Sequence, residues 1–250
     1  MIADQVREFA LEKGEGKRLA DLRIGLGYTS ALLNDGNAGV AYTFKDSLPE
    51  GCSVFTGNRP LAGKSIDQVM NYIGSPVLLE SSVGIAVANA LINRETEGAS
   101  EGDVLEILEL NKDDRVGMVG FFAPLVAPLK KMVRELSIFE RSSRMSKGFY
   151  PAEKAAEELP ACDVALITST SLINGTMDSL IDSAQKCREI VLLGASTVLA
   201  PEIFQHRGVT LLSGVIVTIP ANILQIVSEG GGMRFFKNNI KKVNVRTKLR

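Results

Sequence analysis

The sequence predicts an α/β protein with two domains, an N-terminal α+β domain and a C-terminal domain built on a doubly wound parallel sheet. The chain has 250 residues, which exceeds the usual size of one domain. Strand-like segments precede helix-like segments in the first hundred residues. Beyond Gly98, short and continuously apolar segments alternate with helix-like ones, as a parallel sheet covered on both faces requires. Small and charged residues at 96–103 predict the boundary, so the domains are expected to cover residues 1–100 and 101–250.

The first domain is predicted to contain a hairpin and three helices. Apolar side chains at helical spacing predict a helix over Ile2–Lys13, which ends at the glycine-rich residues 14–16. Two apolar, partly alternating segments joined by a turn at residues 34–37 predict an antiparallel hairpin. The predicted hairpin strands are Leu19–Leu26 and Ala38–Phe44, and the later helices are Ser65–Ile73 and about Ser82–Asn93.

The second domain is predicted as alternating helices and strands. The expected strands are Val116–Val119, Ser137–Phe139, Val164–Thr168, Ile190–Leu193 and Val209–Leu212. The expected helices are Val104–Leu110, Leu125–Leu136, Ala152–Leu159, Met177–Gln185, a short one after Pro201, and Ala221–Val227. Alternating lysines and apolar residues in Lys242–Arg246 predict a solvated edge strand at the C-terminal end, which we favour over a nucleic-acid-binding tail.

Composition narrows the function classes. The 28 basic and 29 acidic side chains give a net charge of −1, so nothing indicates binding to nucleic acid or to an anionic membrane surface. No apolar stretch reaches the roughly 18 residues that span a bilayer. The cysteines Cys52, Cys162 and Cys187 are odd in number and widely spaced, which is typical of a reducing compartment. We therefore expect a cytoplasmic protein, and the base rate among soluble oligomers favours a homodimer.

Small and polar residues follow four of the predicted strands. Ligands of open α/β sheets bind beyond the carboxyl ends of the strands, so these residues predict a crevice lined with hydroxyl and backbone N–H groups. The alternative is that they only form the turns between strands and helices. The candidate ligand-binding residues at the four strand ends are Gly120, Phe121, Thr168, Ser169, Gly194, Ser196, Thr197, Ser213 and Gly214.

A helix beginning after Asn174 and Thr176 supplies a further candidate. Either side chain can cap the first N–H groups of that helix, and the helix N-terminus also attracts a phosphate or carboxylate. A dinucleotide fingerprint is incomplete, because residues 117–122 lack the full G-x-G-x-x-G pattern and place phenylalanines where a pyrophosphate needs close approach. NAD or FAD binding is therefore disfavoured.

The helix near residues 80–93 carries polar side chains in an apolar setting. Asn89 and Asn93 are four residues apart and so lie on one helix face. Buried amides need hydrogen-bond partners, which either neighbouring backbone groups or a ligand can supply. Glu80 is the candidate catalytic carboxylate, with a solvated turn residue as the alternative.

Serine-triad and transition-metal chemistry find little support. His206 is the single histidine, and no G-x-S-x-G motif is present. Zinc sites normally recruit several histidine or cysteine ligands, which this chain cannot supply as a cluster. Oxygen ligation, or a metal carried by an organic ligand, stays open.

Several segments resemble a family of bacterial and archaeal proteins linked to heavy-metal chelation, most of which have unknown function. The resemblance covers nearly the whole chain. Residues 80–93 are similar to the end of that family's N-terminal domain, whose fold resembles the enolase N-terminal domain. The resemblance implies a Rossmann-like C-terminal domain, a cleft between the domains, and a role in handling metals or their chelators. The matching segments of the C-terminal half are 116–125, 168–176, 193–197 and 212–214.

Two hypotheses follow. In the first, the protein binds a small anionic or metal-chelating ligand through neutral polar groups such as Asn89, Asn93 and Ser196. In the second, it is a transferase or lyase that uses a nucleotide-like cofactor such as S-adenosylmethionine, with Glu80 as general base. The first hypothesis implies a metal ion as the cofactor, and the second implies S-adenosylmethionine.

Overall fold

We describe the protein from a computed structural model, which covers residues 1–48, 51, 53–55, 57–95, 98–141 and 149–247. Cys52, Lys248 and Arg250 lie outside the described residues, as do the first two residues of the predicted boundary, Thr96 and Glu97. The helices are α1 (Ile2–Lys13), α2 (Ile66–Met70), α3 (Leu78–Ile92), α4 (Ala123–Met132), α5 (Ala155–Glu158), α6 (Thr170–Ile173), α7 (Met177–Ser183), α8 (Pro201–Phe204), α9 (Pro220–Ser228) and α10 (Met233–Phe236). The strands are β1 (Leu19–Ile24), β2 (Tyr28–Leu33), β3 (Ala38–Tyr42), β4 (Ser100–Glu101), β5 (Arg115–Val119), β6 (Glu135–Glu140), β7 (Phe149–Pro151), β8 (Val164–Thr168), β9 (Glu189–Leu193), β10 (Leu211–Val217) and β11 (Ile240–Arg246).

The strands form two sheets. The small sheet is an antiparallel meander of β1, β2 and β3, and the large sheet has the order β4-β11-β10-β9-β8-β5-β6-β7. Its strands from β10 to β7 are parallel, whereas β11 runs antiparallel to β10 and β4 runs antiparallel to β11. The predicted α/β class with a mostly parallel sheet is confirmed.

The order of the parallel strands reverses between β5 and β8. The chain moves outward from β5 to β6 and β7 on one side, then returns and moves outward from β8 to β9 and β10 on the other. Numbered along the chain, the six parallel strands have the order 3-2-1-4-5-6, in which a crevice opens beyond the carboxyl ends at the reversal. The reversal therefore marks where a ligand site is expected.

Both faces of the large sheet are covered. Along β8, Val164 and Leu166 pack into one apolar cluster, while Ala165 and Ile167 pack into another. Successive strand residues point to opposite faces, so the two clusters lie on the two sides of the sheet. This explains why the strand is continuously apolar.

Helix α3 is the centre of the N-terminal half. It is buried on every side from Leu79 to Ile92 except at Glu80, because it packs against the small sheet, α1 and α2. Small residues allow the contact with the sheet to be close. A Cβ atom on Gly39 of β3 would lie 2.2 Å from the backbone nitrogen of Ala90, so only glycine fits there.

Several sequence predictions need correction. The predicted hairpin is a three-stranded meander, because the chain turns at residues 25–27 and Tyr28–Leu33 forms a separate middle strand. The helix expected at Val104–Leu110 is only a 3-10 turn at Val104–Glu106. Two carbonyl groups of the expected helix accept hydrogen bonds from side chains instead of from the helix backbone. Ile107 O accepts one from Arg246 at 2.9 Å, and Glu109 O accepts one from Arg188 at 2.8 Å.

Other boundaries also differ. The C-terminal strand β11 lies inside the large sheet, because the two residues of β4 cover its outer side, so it is not the edge strand that the lysines predict. Helix α4 ends at Met132, four residues earlier than predicted, and β6 already begins at Glu135. The helix expected over Ala152–Leu159 is α5 flanked by 3-10 turns. Strand β10 starts and ends later than the segment Val209–Leu212.

Candidate ligand-binding cleft

A cleft of about 1130 Å³ lies at the carboxyl ends of the parallel strands. Its floor comes from the residues that follow β5, β8 and β9 and from residues 213–215, and one wall comes from β2, β3 and the segment after β3. Ser213 and Gly214 lie within β10 and not after a strand as predicted, because β10 continues to Val217. The cleft therefore occupies the strand-order reversal that the sheet topology singles out. Nine of the predicted site residues line it, namely Gly120, Phe121, Thr168, Asn174, Thr176, Gly194, Ser196, Ser213 and Gly214.

The strand ends are held together by backbone hydrogen bonds. Gly120 N donates to Phe139 O at 2.8 Å, and Gly194 N donates to Ser213 O at 3.0 Å. Ser169 N likewise donates to the carbonyl of the last residue of β9 at 2.9 Å. These three N–H groups continue the hydrogen bonding of the parallel sheet and are not free to bind a ligand. The prediction that backbone N–H groups line the crevice is therefore wrong for these three groups.

Glycine is required where β5 and β8 end. Gly120 has a φ of +90°, and a Cβ atom there would lie 2.9 Å from the Cβ atom of Thr168. Both the left-handed backbone and the close approach exclude a larger side chain. Because Gly120 has no side chain, it leaves space in the floor of the cleft between β5 and β8, where the strand order reverses.

Hydroxyl groups concentrate along the segment after β8. The hydroxyls of Thr168 and Thr170 are hydrogen-bonded to each other at 3.0 Å, and Ser171 Oγ donates to Thr168 O at 2.7 Å. Thr176 donates to Asn174 Oδ1 from both its N–H, at 3.1 Å, and its hydroxyl, at 2.7 Å. Asn174 Oδ1 thus closes a turn before α7, but the predicted side-chain cap of that helix is not formed. These side chains give the cleft a rim of neutral polar groups.

Aromatic side chains form much of the rest of the lining. Seven of the fourteen phenylalanine and tyrosine residues of the chain line the cleft. Such a concentration favours a ligand with an apolar or flat part that can pack against rings. The seven are Tyr28, Tyr42, Phe44, Phe121, Phe122, Phe139 and Phe149.

The charged side chains of the cleft are mostly acidic. Four carboxylates and two basic groups belong to the described lining. Lys242 Nζ lies 3.7 Å from Asp103 Oδ2, so this pair is balanced. Among the described lining residues, the remaining carboxylates of Asp46, Glu140 and Glu153 outnumber the remaining basic group, that of Arg141. This balance favours a ligand that carries positive charge.

The two cleft tyrosines are neutral at physiological pH. Burial raises the pKa of Tyr28 to about 12. Burial and the negative charges of Asp46 and Glu140 raise the pKa of Tyr42. Both rings therefore present phenols and aromatic faces rather than phenolates.

Asn89 and Asn93 do not line the cleft. Asn93 Nδ2 donates to Thr197 O at 2.8 Å and to Val215 O at 3.2 Å, and its Oδ1 accepts from Leu199 N at 2.9 Å. These amides tie α3 to the loop after β9 and to β10, which is the backbone-satisfying alternative that the sequence left open. Asn89 Nδ2 donates to Val40 O at 2.9 Å and approaches Ala195 O at 3.5 Å.

Three other candidates also lie away from the cleft lining. Ser169 and Thr197 are buried with their hydroxyls 2.7 Å apart, and Thr197 donates to backbone carbonyls beneath the floor. Glu80 accepts a hydrogen bond from Ser75 Oγ at 2.6 Å in the first turn of α3 and does not line the cleft. A general-base role for Glu80 has no geometric support.

No set of three or more histidine, cysteine, aspartate or glutamate side chains could hold a metal ion in the described part of the chain. His206 is exposed on a 3-10 turn away from the cleft. Cys162 and Cys187 are buried, and burial raises their pKa values to about 11 and about 12. Thiolate ligation by these two residues is disfavoured.

Sequence reasoning missed the wall that the small sheet supplies. Tyr28 and Tyr42 are register partners on β2 and β3, and both point toward the cleft. Their place on neighbouring strands is readable from alternation once the middle strand is recognised. Asp46 and Glu140 carried no signal in the sequence, because they come to line one cleft only when the two sheets pack together.

Comparisons with known proteins identify the family. Residues 103–246 match the model of the family DUF364, and residues 7–92 match that of DUF4213; both are described as "Putative heavy-metal chelation". The chain belongs to the DUF364 family. An uncharacterized protein of Methanocaldococcus jannaschii is 28% identical over 97% of this chain and 96% of its own length.

Solved structures from the DUF364 family share the fold. A protein of unknown function from Pyrococcus horikoshii superimposes with a TM-score of 0.87 at 25% identity, over 98% of this chain and 100% of the other. One from Desulfitobacterium hafniense superimposes with a TM-score of 0.79 at 24% identity, over 97% and 99% of the two chains. Within the described residues, no helix is both long enough and apolar enough to cross a membrane.

Proposed function

We propose that this DUF364 protein binds a small metal chelate in the cleft, with the metal held by its organic ligand rather than by the protein. The observation that carries the proposal is a large cleft at the strand-order reversal that has hydroxyls, aromatic rings and surplus carboxylates but, in the described residues, no set of three metal-ligating side chains. A chelate supplies its own ligands to the metal, so the protein needs only to recognise its outer surface. The surplus of carboxylates favours a cationic chelate over the anionic ligand also considered from sequence.

We further propose that the cleft lies between two domains, which cover residues 1–100 and 101–250. The separate matches at 7–92 and 103–246 support this division. The 3-2-1-4-5-6 strand order supports a Rossmann-like second domain. The enolase-like nature of the first domain, the cytoplasmic location and the homodimer stay predictions.

Thermal denaturation tests the proposal, because a ligand that binds only the folded state raises the melting temperature. Zn²⁺, Ni²⁺ and Co²⁺ are compared as free ions, as complexes of histidine or phenanthroline, and against the chelators alone. We expect complexes to raise the melting temperature more than either component. Thr168→Val, which removes a cleft hydroxyl at nearly constant volume, should reduce the shift. Thr218→Val, at an exposed position outside the cleft lining, should leave it unchanged.

Stabilisation by the free ions alone, at the same level as by the complexes, would contradict the proposal. So would a chelate shift that Thr168→Val and Thr218→Val affect equally, since the binding would then lie elsewhere.

A second candidate is an enzyme that uses S-adenosylmethionine. The aromatic lining favours it, because seven rings offer stacking surfaces for an adenine and the carboxylates suit a sulfonium cation. Glu80 is not near the cleft, so Asp46, Glu140 and Glu153 are the carboxylates available for acid–base work. Stabilisation by S-adenosylmethionine without any by metal complexes would favour this candidate.

A further inference from the structure

Three aromatic rings stand at right angles along the wall that the small sheet supplies. The rings of Tyr28 and Tyr42 are 5.9 Å apart with an angle of 89° between their planes, and those of Tyr42 and Phe44 are 5.1 Å apart at 88°. All three side chains line the cleft. Neighbouring rings at right angles form a corner, and a cation seated in it would be attracted to the negative face of one ring rather than to the positive edge of the next.

Two carboxylates line the same cleft as these rings. Asp46 follows β3 in a 3-10 turn and Glu140 ends β6, so they reach the cleft from the two different sheets. Both are close enough to Tyr42 to act on its phenol electrostatically. Neither carboxylate forms an ion pair within the described part of the chain, although Glu140 accepts a hydrogen bond from the backbone N–H of Arg141 at 2.7 Å. Among the described residues, their negative charge is therefore not neutralised by an ion pair, although Arg141 lines the same cleft.

The same groups suit an organic cation better than a bare metal ion. Two carboxylates fall short of the oxygen ligands that a hard cation requires, and the tyrosines are neutral phenols. Quaternary and protonated amines are instead attracted to the faces of aromatic rings, and nearby carboxylates add to that attraction. Quaternary ammonium groups are also weakly hydrated, so they fit an apolar corner.

We infer that Tyr28, Tyr42, Phe44, Asp46 and Glu140 form a subsite for an organic cation, an ammonium or comparable group, carried by the ligand of the cleft. This inference rests on the proposed function and adds to it the chemical class of one end of the ligand. The remaining hydroxyl-rich end of the cleft, around Thr168, would hold the other end.

Three probes of matched shape test the subsite: choline, its neutral carbon isostere 3,3-dimethylbutan-1-ol, and the anion 3,3-dimethylbutanoate. Each is titrated into ¹⁵N-labelled full-length protein, and amide shifts are followed by NMR. We expect choline to bind in the millimolar range and to shift residues 42–47 and 139–141. The neutral alcohol should bind at least about 10-fold more weakly, and the carboxylate should produce no shift there.

Matched variants locate the binding. Phe44→Leu keeps an apolar side chain but removes the ring, and Glu140→Gln removes the charge at constant shape. Each should weaken choline binding by roughly 2- to 30-fold, the range expected for one cation–π or charge contact. Phe235→Leu and Glu202→Gln change exposed residues outside the cleft lining and should leave the affinity unchanged.

The inference is overturned if the alcohol or the carboxylate binds as tightly as choline, if no probe shifts these amides, or if Phe44→Leu and Glu140→Gln act no differently from their controls. The proposed function is judged separately by the metal complexes. A chelate shift that depends on Thr168, combined with no preference for choline, would refute only the subsite. Choline binding without any chelate shift would refute only the proposed function.

Discussion

Asn93 is expected to be one of the most important single side chains for the contact between α3 and the large sheet. It is 4% exposed and makes three hydrogen bonds, to Thr197 O, Val215 O and Leu199 N. Buried hydrogen bonds contribute about 1 kcal/mol each, and leaving a buried partner unsatisfied costs about 1–3 kcal/mol. The N–H of Leu199 has no other acceptor among the described residues. We therefore expect Asn93→Ala to lower the free energy of unfolding by about 3–5 kcal/mol.

Asn89 provides the internal comparison, because it lies one helical turn earlier on the same face. Its amide makes one good hydrogen bond and one long contact, and its Oδ1 atom has no partner in the described structure. Asn89→Ala removes an acceptor that is already unsatisfied, so we expect a loss of only about 1–2 kcal/mol. The predicted difference between two chemically identical substitutions is therefore about 2–3 kcal/mol.

Urea denaturation followed by circular dichroism measures both values by linear extrapolation. Asn71→Ala, at an exposed residue after α2, serves as the control and should stay within about 0.5 kcal/mol of the parent protein. A loss for Asn93→Ala that equals or falls below the loss for Asn89→Ala would refute the reasoning, since the count of satisfied partners would then not set the energy.

Three further predictions follow from individual environments. Gly120→Ala should destabilise the protein by about 2–4 kcal/mol, because a positive φ is combined with a 2.9 Å clash, whereas Gly194→Ala, which has a positive φ but no atom closer than 3.7 Å, should cost about 1–2 kcal/mol in the same urea assay. Burial opposes ionisation of Asp35, but hydrogen bonds from a lysine and a backbone N–H lower its pKa from 3.8 to about 2. The stability that this carboxylate adds is present above pH 3.8 and is lost as the pH falls toward 2, so the unfolding free energies of the parent and Asp35→Asn should converge over that window; a constant difference would contradict the assignment. Cys162 and Cys187, whose pKa values are raised to about 11 and about 12, should resist iodoacetamide at pH 8 in the folded protein and react once it is unfolded in urea, as peptide mapping would show; labelling of either one in the native state would disprove their burial.

The parallel sheet was readable from sequence because both of its faces are buried. Val164–Thr168 is predicted and observed with the same bounds, since a strand packed on two apolar layers is apolar throughout. The short strands β4 and β7, of two and three residues, carry no such pattern. Their pairing depends on neighbours that are distant in sequence, which local patterns do not contain.

The candidate site was readable in part for a related reason. The rule that ligands bind beyond the carboxyl ends of parallel strands finds Gly120, Thr168 and Gly194 without knowledge of the partner sheet. It cannot tell which polar residues face the cleft and which are used by packing. Asn89 and Asn93 belong to the second group because the two sheets dock along α3, a tertiary event that no local pattern records.

Ser196 shows that packing and binding depend on the same segment. Its hydroxyl accepts a hydrogen bond from the backbone N–H of Tyr42 at 2.9 Å while the residue also lines the cleft. Strand β3 is the edge of the small sheet at this point, so the bond satisfies an edge group that would otherwise be unpaired. It also fixes the backbone that carries the Tyr42 ring. The aromatic wall is thus held to the floor of the cleft by the loop after β9, so a ligand of the proposed subsite would meet a corner that is already formed.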